Sequence, residues 1–200
     1  GYALKRLDEL GLFKLSNFFR KFNKKKLKII CFIGRVNEDK GIRELLEGFS
    51  LHNKKFKDSF LLIIGPNELN PIDFMKVEAL KNCLYMDFLK DVNLIFPFAY
   101  CLVLPSYREG FGSIVIEAAA SQTPIIATNI PGPTDFITHM NNGYLIKPKN
   151  PDDIRKALDF YRENPKIINK LSENAFDKCC KYFEEEYVCN LFVNEIEKNI

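Results

Sequence analysis

Apolar residues occur in short continuous runs, and these runs alternate with stretches where apolar residues recur every three or four positions. The run IICFI at 29–33 is typical of a strand buried on both faces, because no position in it is polar. The spacing of Ile42, Leu45 and Phe49 is that of a helix with one apolar face. The runs predict strands over 28–34, 60–65, 83–86, 100–104 and 124–128, and the periodic stretches predict helices over 41–53, 71–80, 92–100 and 113–121.

Buried strands separated by helices predict an α/β fold with a Rossmann-like parallel sheet and helices on both faces. We place this domain at 28–165. Strands stop near residue 152, and three amphipathic helices are predicted over 154–162, 165–182 and 185–198. Residues 166–200 are expected to pack on the sheet domain or on a missing N-terminal domain. Residues 1–27 are expected to be a linker or the remnant of an upstream segment.

Composition changes this picture little. The chain is 46% hydrophobic and 28% charged, as in ordinary globular proteins, and it has no apolar run of membrane-spanning length. Residues 1–12 carry charges throughout, which is unlike a signal peptide. The net charge is only +3, but six basic residues crowd into 20–28. A solvated linker is the favoured interpretation of that run, and an anionic-membrane patch or a nucleic-acid arm stays open.

The cysteines and histidines indicate no metal centre. The six cysteines form no Cys-x-x-Cys pair, and neither His52 nor His139 has a cluster of ligands near it in the sequence. Scattered thiols suit a reducing cytoplasm. The chain also lacks a Walker phosphate loop, a Ser-His-Asp order and a Gly-x-Gly-x-x-Gly helix opening, which excludes P-loop NTPases, serine hydrolases and standard dinucleotide oxidoreductases.

The end of the first predicted strand carries the first chemical constellation. Gly34 and Arg35 follow the strand, and Lys40 and Gly41 come just before a helix. Ligands of open parallel sheets lie at the carboxyl ends of the strands, so two cations there could neutralise a diphosphate. The alternative is a surface loop in which Glu38 and Asp39 pair with the two cations.

The second constellation lies between the fourth strand and the following helix, where 105–113 reads PSYREGFGS. Glycine lets the backbone approach a ligand closely, and the free amides of Gly112, Ser113 and Ile114 at a helix start suit a phosphate. Glu117 lies one turn further on and could accept hydrogen bonds from two vicinal ribose hydroxyls, and Glu109 could reach the other end of the same ligand. The alternative is a tight turn followed by a solvated glutamate.

Together the two constellations resemble the signature of family-4 retaining glycosyltransferases, which have the GT-B fold of two Rossmann-like domains with the active site between them. The resemblance rests on GRVNEDKGI at 34–42, on Glu109 and Glu117 with seven residues between them, and on LPSYREGFG at 104–112, PIIAT at 124–128 and GYLI at 143–146. It covers about 28–165. The variants GPNE at 65–68 and IPGP at 130–133 are similar to members that build capsule or O-antigen polysaccharides.

The resemblance implies a role for each matching residue. Arg35 and Lys40 would hold the donor diphosphate, Glu109 would contact the donor sugar, and Glu117 would bind the ribose. The other implied donor-binding residues are Gly34 at the end of the first strand, then Phe88 and Leu89, which would lie beside the base, and Phe111, Gly112, Ser113 and Ile114, whose backbone would bind phosphate. Two positions depart from the pattern, Asp87 and Gln122, where glycine is usual. Asp87 directly precedes the implied base contacts, and Gln122 lies in a turn.

The resemblance also implies the partners. The donor would be a nucleotide-sugar, a UDP-sugar, and the acceptor a saccharide or a lipid-linked molecule, with no nucleic acid, no metal and no other cofactor. The enzyme would be cytoplasmic, with association to the inner face of the membrane left open. Most of the acceptor site would lie in the N-terminal domain, so this chain alone is expected not to transfer sugar. A GT-B epimerase or phosphorylase, or a non-catalytic nucleotide-binding module, is the alternative.

Overall fold

The structure, a computed structural model, describes residues 27–110 and 112–183. Its strands are β1 (Lys28–Ile33), β2 (Ser59–Ile64), β3 (Cys83–Met86), β4 (Ala99–Leu104), β5 (Ile125–Thr128) and β6 (Tyr144–Ile146). Its α-helices are α1 (Ile42–Lys55), α2 (Pro71–Ala79), α3 (Ser113–Ala120), α4 (Pro133–Phe136), α5 (Pro151–Glu163) and α6 (Pro165–Phe183). The predicted helix at 185–198 and the linker segment before residue 27 lie outside the described residues.

All six strands form one parallel sheet in the order β3-β2-β1-β4-β5-β6. Alternate residues of β1 enter different cores: Cys31 belongs to the core on one face of the sheet, and Ile30 and Phe32 to the core on the other. Both faces are therefore covered, which explains the unbroken apolar runs in the sequence. The predicted α/β class and parallel sheet are confirmed, and β6 is a sixth strand that the prediction omitted.

The predicted helix over 92–100 is wrong. Two short 3-10 helices, Val92–Leu94 and Phe96–Phe98, take its place, and β4 begins directly afterwards at Ala99. Pro97 explains the difference, because it has no backbone N–H to donate and it disfavours the helical conformation in the residue before it.

Helix α6 crosses from one face of the sheet to the other. Ile168 and Leu171 pack in the core that contains α1 and α5, and Ala175 and Cys179 pack in the opposite core against α3. The helix therefore adds apolar contacts to both cores and joins the two layers.

A buried polar network connects α1, β2 and α5 near the amino ends of the strands. The His52 Nδ1 atom lies 2.6 Å from Asp159 Oδ1, and His52 Nε2 lies 2.9 Å from the Ser59 hydroxyl. Burial lowers the pKa of His52 below its ordinary value, against the opposing effect of Asp159. Since His52 and Ser59 are fully buried, this network has no access for a ligand.

Candidate functional site

The carboxyl ends of β1 and β4 define the position where a ligand would bind. The chain runs outward from β1 to β2 and β3 in one direction and from β4 to β5 and β6 in the other, so the strand order reverses between β1 and β4. Loops diverge at such a point and leave a crevice above the sheet. The two loops that border it are 34–41 and 105–112, which carry both predicted constellations.

The two loops are held together by close backbone contact. Gly41 has φ 67°, and a Cβ atom there would lie 2.2 Å from the Pro105 carbonyl oxygen, so only glycine fits. The Tyr107 amide donates to the Asp39 carbonyl at 2.7 Å. Within the first loop, Asn37 caps the short 3-10 helix Glu38–Lys40 by accepting a hydrogen bond from the Lys40 amide at 3.0 Å. The Lys40 main chain therefore has a fixed position beside the second loop.

Lys40 and Glu109 form an ion pair across the two loops. The Lys40 Nζ atom lies 2.5 Å from Glu109 Oε1, and the Ser106 hydroxyl donates to the same oxygen at 2.8 Å. The two charged side chains are only 16% and 11% exposed. A buried charge is costly without a partner, so if the pair separates, the ammonium and the carboxylate each need a new partner. A phosphate group could supply one for Lys40.

Arg35 belongs to the same loop and pairs with Glu68. Its Nη1 atom is 3.3 Å from Glu68 Oε2, and the two side chains are 60% and 42% exposed. Asn37 donates to the same Glu68 oxygen at 2.7 Å. Glu38 pairs instead with Arg43 at 2.6 Å. The alternative in which Glu38 and Asp39 neutralise Arg35 and Lys40 is therefore wrong.

Helix α3 begins at the crevice without a side-chain cap. Gly112 precedes the helix in the left-handed conformation, with φ 69° and ψ 50°, and accepts a hydrogen bond from the Val115 amide at 2.8 Å. Among the described residues, the amides of Gly112, Ser113 and Ile114 find no hydrogen-bond acceptor. Free amides at a helix start attract an anion. Phe111 lies outside the described residues.

Glu117 is half-buried on α3 and has no side-chain hydrogen bond or ion pair with any described residue. Burial raises the pKa of its carboxyl above the ordinary value, and the negative charge of Asp91 raises it further. A merely solvated glutamate would not be half-buried, and a structural ion would have a partner. An incoming hydroxyl donor would therefore relieve the cost of this carboxylate.

The three remaining predicted residues lie in different surroundings. The Phe88 side chain is 71% exposed just after β3, whereas Leu89 is 9% exposed and packs in the core. Only the main chain of Leu89 could therefore contact a nucleotide base. Gly34 ends β1, where its amide donates to the Ile64 carbonyl at 2.9 Å. Asp87, the departure from the family pattern, accepts a hydrogen bond from the Tyr85 hydroxyl at 2.8 Å.

Several polar side chains that were not among the predicted site residues support the site. Ser106 holds Glu109, and Asn37 links Lys40 to Glu68. Thr128 at the end of β5 donates to the Ser106 carbonyl at 2.6 Å. Ser106 lies in the same motif as Glu109, but Thr128 and Glu68 come from other parts of the chain, so only the tertiary structure reveals the complete network.

An open cavity of about 410 Å³ adjoins the first loop and is lined by Asn37, Glu38, Asp39, Glu68, Leu69 and Asn70. Its carboxylates would repel a diphosphate, so we place the candidate site on the side of Lys40 and α3. Within the described part of the chain, no three His, Cys, Asp or Glu side chains gather closely enough to hold a metal ion. None of the helices in residues 27–110 and 112–183 has the length and apolar character to span a bilayer.

The family model of glycosyl transferases group 1 matches residues 14–178. The chain therefore belongs to this family, and its sheet and helices are those of the C-terminal domain of the GT-B fold. The C-terminal domain of a glycosyl transferase group 1 family protein, LpcC from Francisella tularensis, is 28% identical and superposes with a TM-score of 0.72 over 83% of this chain and 92% of that one.

Two further similarities bear on the chemistry. The capsular polysaccharide biosynthesis glycosyltransferase CapM of Staphylococcus aureus is 27% identical in an alignment 186 residues long, which covers 84% of this chain and 47% of CapM. The structure of S. aureus TarM in complex with fondaparinux, α-GlcNAc-glycerol and UDP is 25% identical, with a TM-score of 0.76 over 84% of this chain and 35% of TarM. The chain therefore spans about half the length of CapM and about a third of the length of TarM.

Proposed function

We propose that this chain is the donor-binding half of a retaining, family-4 glycosyltransferase that takes a UDP-sugar. The observation that carries the proposal is the partly buried Lys40–Glu109 pair beside the uncapped start of α3. It puts a cation and free amides on one side of the β1–β4 crevice, next to a carboxylate that could contact a sugar. The UDP bound in the related TarM structure supports uracil as the base.

The residue types suit glycosyl transfer without help from a metal. As the bond between the sugar C1 and the diphosphate oxygen breaks, its electrons pass to the diphosphate and C1 gains oxocarbenium character. Lys40 and the amides before α3 would stabilise the charge on the leaving nucleotide, which is where electrostatic catalysis acts. Arg35 would join them by exchanging its ion pair with Glu68 for one with the diphosphate. In a retaining reaction the acceptor hydroxyl would attack C1 from the same face and pass its proton to the departing diphosphate oxygen.

Glu117 and Glu109 would fix the two ends of the donor. Glu117 has no partner among the described residues, and two vicinal ribose hydroxyls would supply two donors to its carboxylate. Glu109 keeps one oxygen that neither Lys40 nor Ser106 occupies, and this oxygen would meet a hydroxyl of the sugar.

The acceptor would be a saccharide or a lipid-linked molecule in surface polysaccharide synthesis, at the cytoplasmic side of the membrane. The similarity to CapM supports that pathway. An N-terminal domain would carry most of the acceptor site, since closure of two domains is what positions an acceptor and excludes water. The boundaries proposed are a sheet domain at 28–165 and helices at 166–200.

The test is to titrate this chain with UDP, GDP, ADP and uridine, and to measure binding by thermal shift and by ligand-observed NMR. We expect UDP to bind most tightly and uridine, which has no phosphate, to bind at least tenfold more weakly. Equal affinity for UDP and uridine would overturn the diphosphate site, and a preference for GDP or ADP would overturn the choice of base.

Incubation with UDP-glucose or UDP-GlcNAc separates the proposed activity from its rivals. No sugar transfer to an added glycan is expected from this chain alone, whereas transfer would place the acceptor site within these residues. Conversion of the free nucleotide-sugar to an epimer, seen by NMR in the absence of acceptor, would instead favour the epimerase alternative.

A further inference from the structure

Ser106 is a fully buried polar residue at the carboxyl end of the sheet, with 0% of its surface exposed. Its hydroxyl donates to Glu109 Oε1 at 2.8 Å, and its carbonyl accepts a hydrogen bond from the Thr128 hydroxyl at 2.6 Å. Both the side chain and the main chain of Ser106 are therefore fixed, independently of any ligand.

Glu109 depends on two donors that reach the same carboxylate oxygen. Lys40 supplies one at 2.5 Å and Ser106 the other. The Glu109 side chain is only 11% exposed, so water cannot easily replace a lost donor. A diphosphate that draws the Lys40 ammonium toward itself would leave this carboxylate with Ser106 as its remaining partner.

We propose that Ser106 is a positioning residue for donor binding: its hydroxyl holds the Glu109 carboxylate in place when Lys40 turns from Glu109 to the diphosphate. The proposal rests on the proposed function of Lys40. Ser106 touches no ligand itself; it lowers the cost of the exchange of partners at Lys40. Its contribution is consequently larger in the complex than in the free protein, where Lys40 still neutralises Glu109.

The substitution Ser106→Ala tests this, with UDP and uridine as ligands. UDP affinity should fall about tenfold, since a hydrogen bond to a buried charge is lost when it is most needed, and uridine affinity should not change. The matched control is Ser59→Ala, which also removes the hydroxyl of a fully buried serine, but at the amino end of β2 where it contacts His52. The control should lower the melting temperature and leave UDP affinity as it is.

A second comparison isolates Glu109 as the intermediary. In a Glu109→Gln background the uncharged amide no longer needs compensation, so adding Ser106→Ala should change UDP affinity less than twofold. The Ser106→Cys variant, which replaces the hydroxyl with a slightly larger thiol that is a weaker donor, should show an intermediate loss and serves as the test if the alanine variant does not fold.

The outcomes are distinguishable. A UDP affinity for Ser106→Ala, or for Ser106→Cys if only that variant folds, equal to that of the wild type would overturn the positioning role. So would an equal loss of UDP affinity in the Glu109→Gln background. If the wild-type chain itself fails to prefer UDP over uridine, the proposed diphosphate site fails first, and Ser106 is then only a structural residue.

Discussion

Replacing Glu117 with glutamine should strengthen the fold at neutral pH and weaken nucleotide binding, two effects of opposite sign from one substitution. The carboxyl of Glu117 is half-buried, has no partner among the described residues, and has a pKa raised by burial and by Asp91. At neutral pH the ionised form therefore costs folding free energy. Glutamine has the same shape and no charge, so it removes that cost.

The pH dependence follows from the direction of the pKa shift. Because the folded-state pKa lies above the unfolded value of 4.5, the folded chain holds the proton more tightly. The stabilising effect of that protonated carboxyl is complete below the unfolded pKa and is lost as pH rises through the folded pKa. The difference in urea midpoint between Glu117→Gln and wild type should accordingly be largest at pH 7 and shrink toward pH 4.

The size of the loss in UDP affinity depends on the kind of hydrogen bond that Glu117 makes to the nucleotide. If the Glu117 carboxylate accepts the ribose hydroxyls, glutamine replaces charge-assisted hydrogen bonds with neutral ones, a loss of about 1–3 kcal/mol, or roughly five- to 150-fold in affinity for UDP. Wild-type binding should also strengthen as pH rises through the pKa of Glu117, and the binding of the variant should not.

Calorimetric titration with UDP, together with urea unfolding at pH 4, 5.5 and 7, measures both effects. Glu78→Gln on the exposed side of α2 is the matched control and should change neither. Unchanged UDP affinity with increased stability would show that Glu117 is a strained carboxylate without a ligand. Reduced stability at pH 7 would refute the reasoning about its missing partner.

Three further predictions concern the loops and the core. Arg35→Ala and Lys40→Ala should each weaken UDP binding about tenfold. Only Lys40→Ala should lower the melting temperature, because it leaves the partly buried Glu109 carboxylate without its ion-pair partner. Unchanged UDP affinity in both variants would remove these residues from the site. Gly41→Ala should cost about 2–4 kcal/mol of unfolding free energy, because its Cβ would lie 2.2 Å from a backbone oxygen. Gly112→Ala, whose Cβ would lie 3.8 Å from its nearest neighbour, should cost about 1–2 kcal/mol from the positive φ alone. Equal losses in urea unfolding would contradict this packing argument. Burial lowers the pKa of His52 below 6.5, so the folded state should lose stability as pH falls below 6.5, because the unfolded chain then binds a proton that the folded chain does not. His52→Gln should reduce this pH dependence of the urea midpoint, and replacing the other histidine, His139, should not.

The sequence predicted the sheet well because four of its strands, β1, β2, β4 and β5, are largely buried, and such strands leave unbroken apolar runs. It missed β6 (Tyr144–Ile146), which is three residues long and has partly buried residues, so its pattern cannot be separated from a loop. The helix predicted over 92–100 fails at Pro97, which has no N–H to donate.

Local sequence alone determined where the two ligand-binding loops lie, because strand ends, glycines and helix starts are encoded within a few neighbouring residues. Which side chains meet across those loops was decided only by the tertiary structure. Lys40 and Glu109 are 69 positions apart, and Arg35 and Glu68 are 33 apart. No local pattern specifies such pairs, since they depend on the strand order that places the end of β1 between those of β2 and β4.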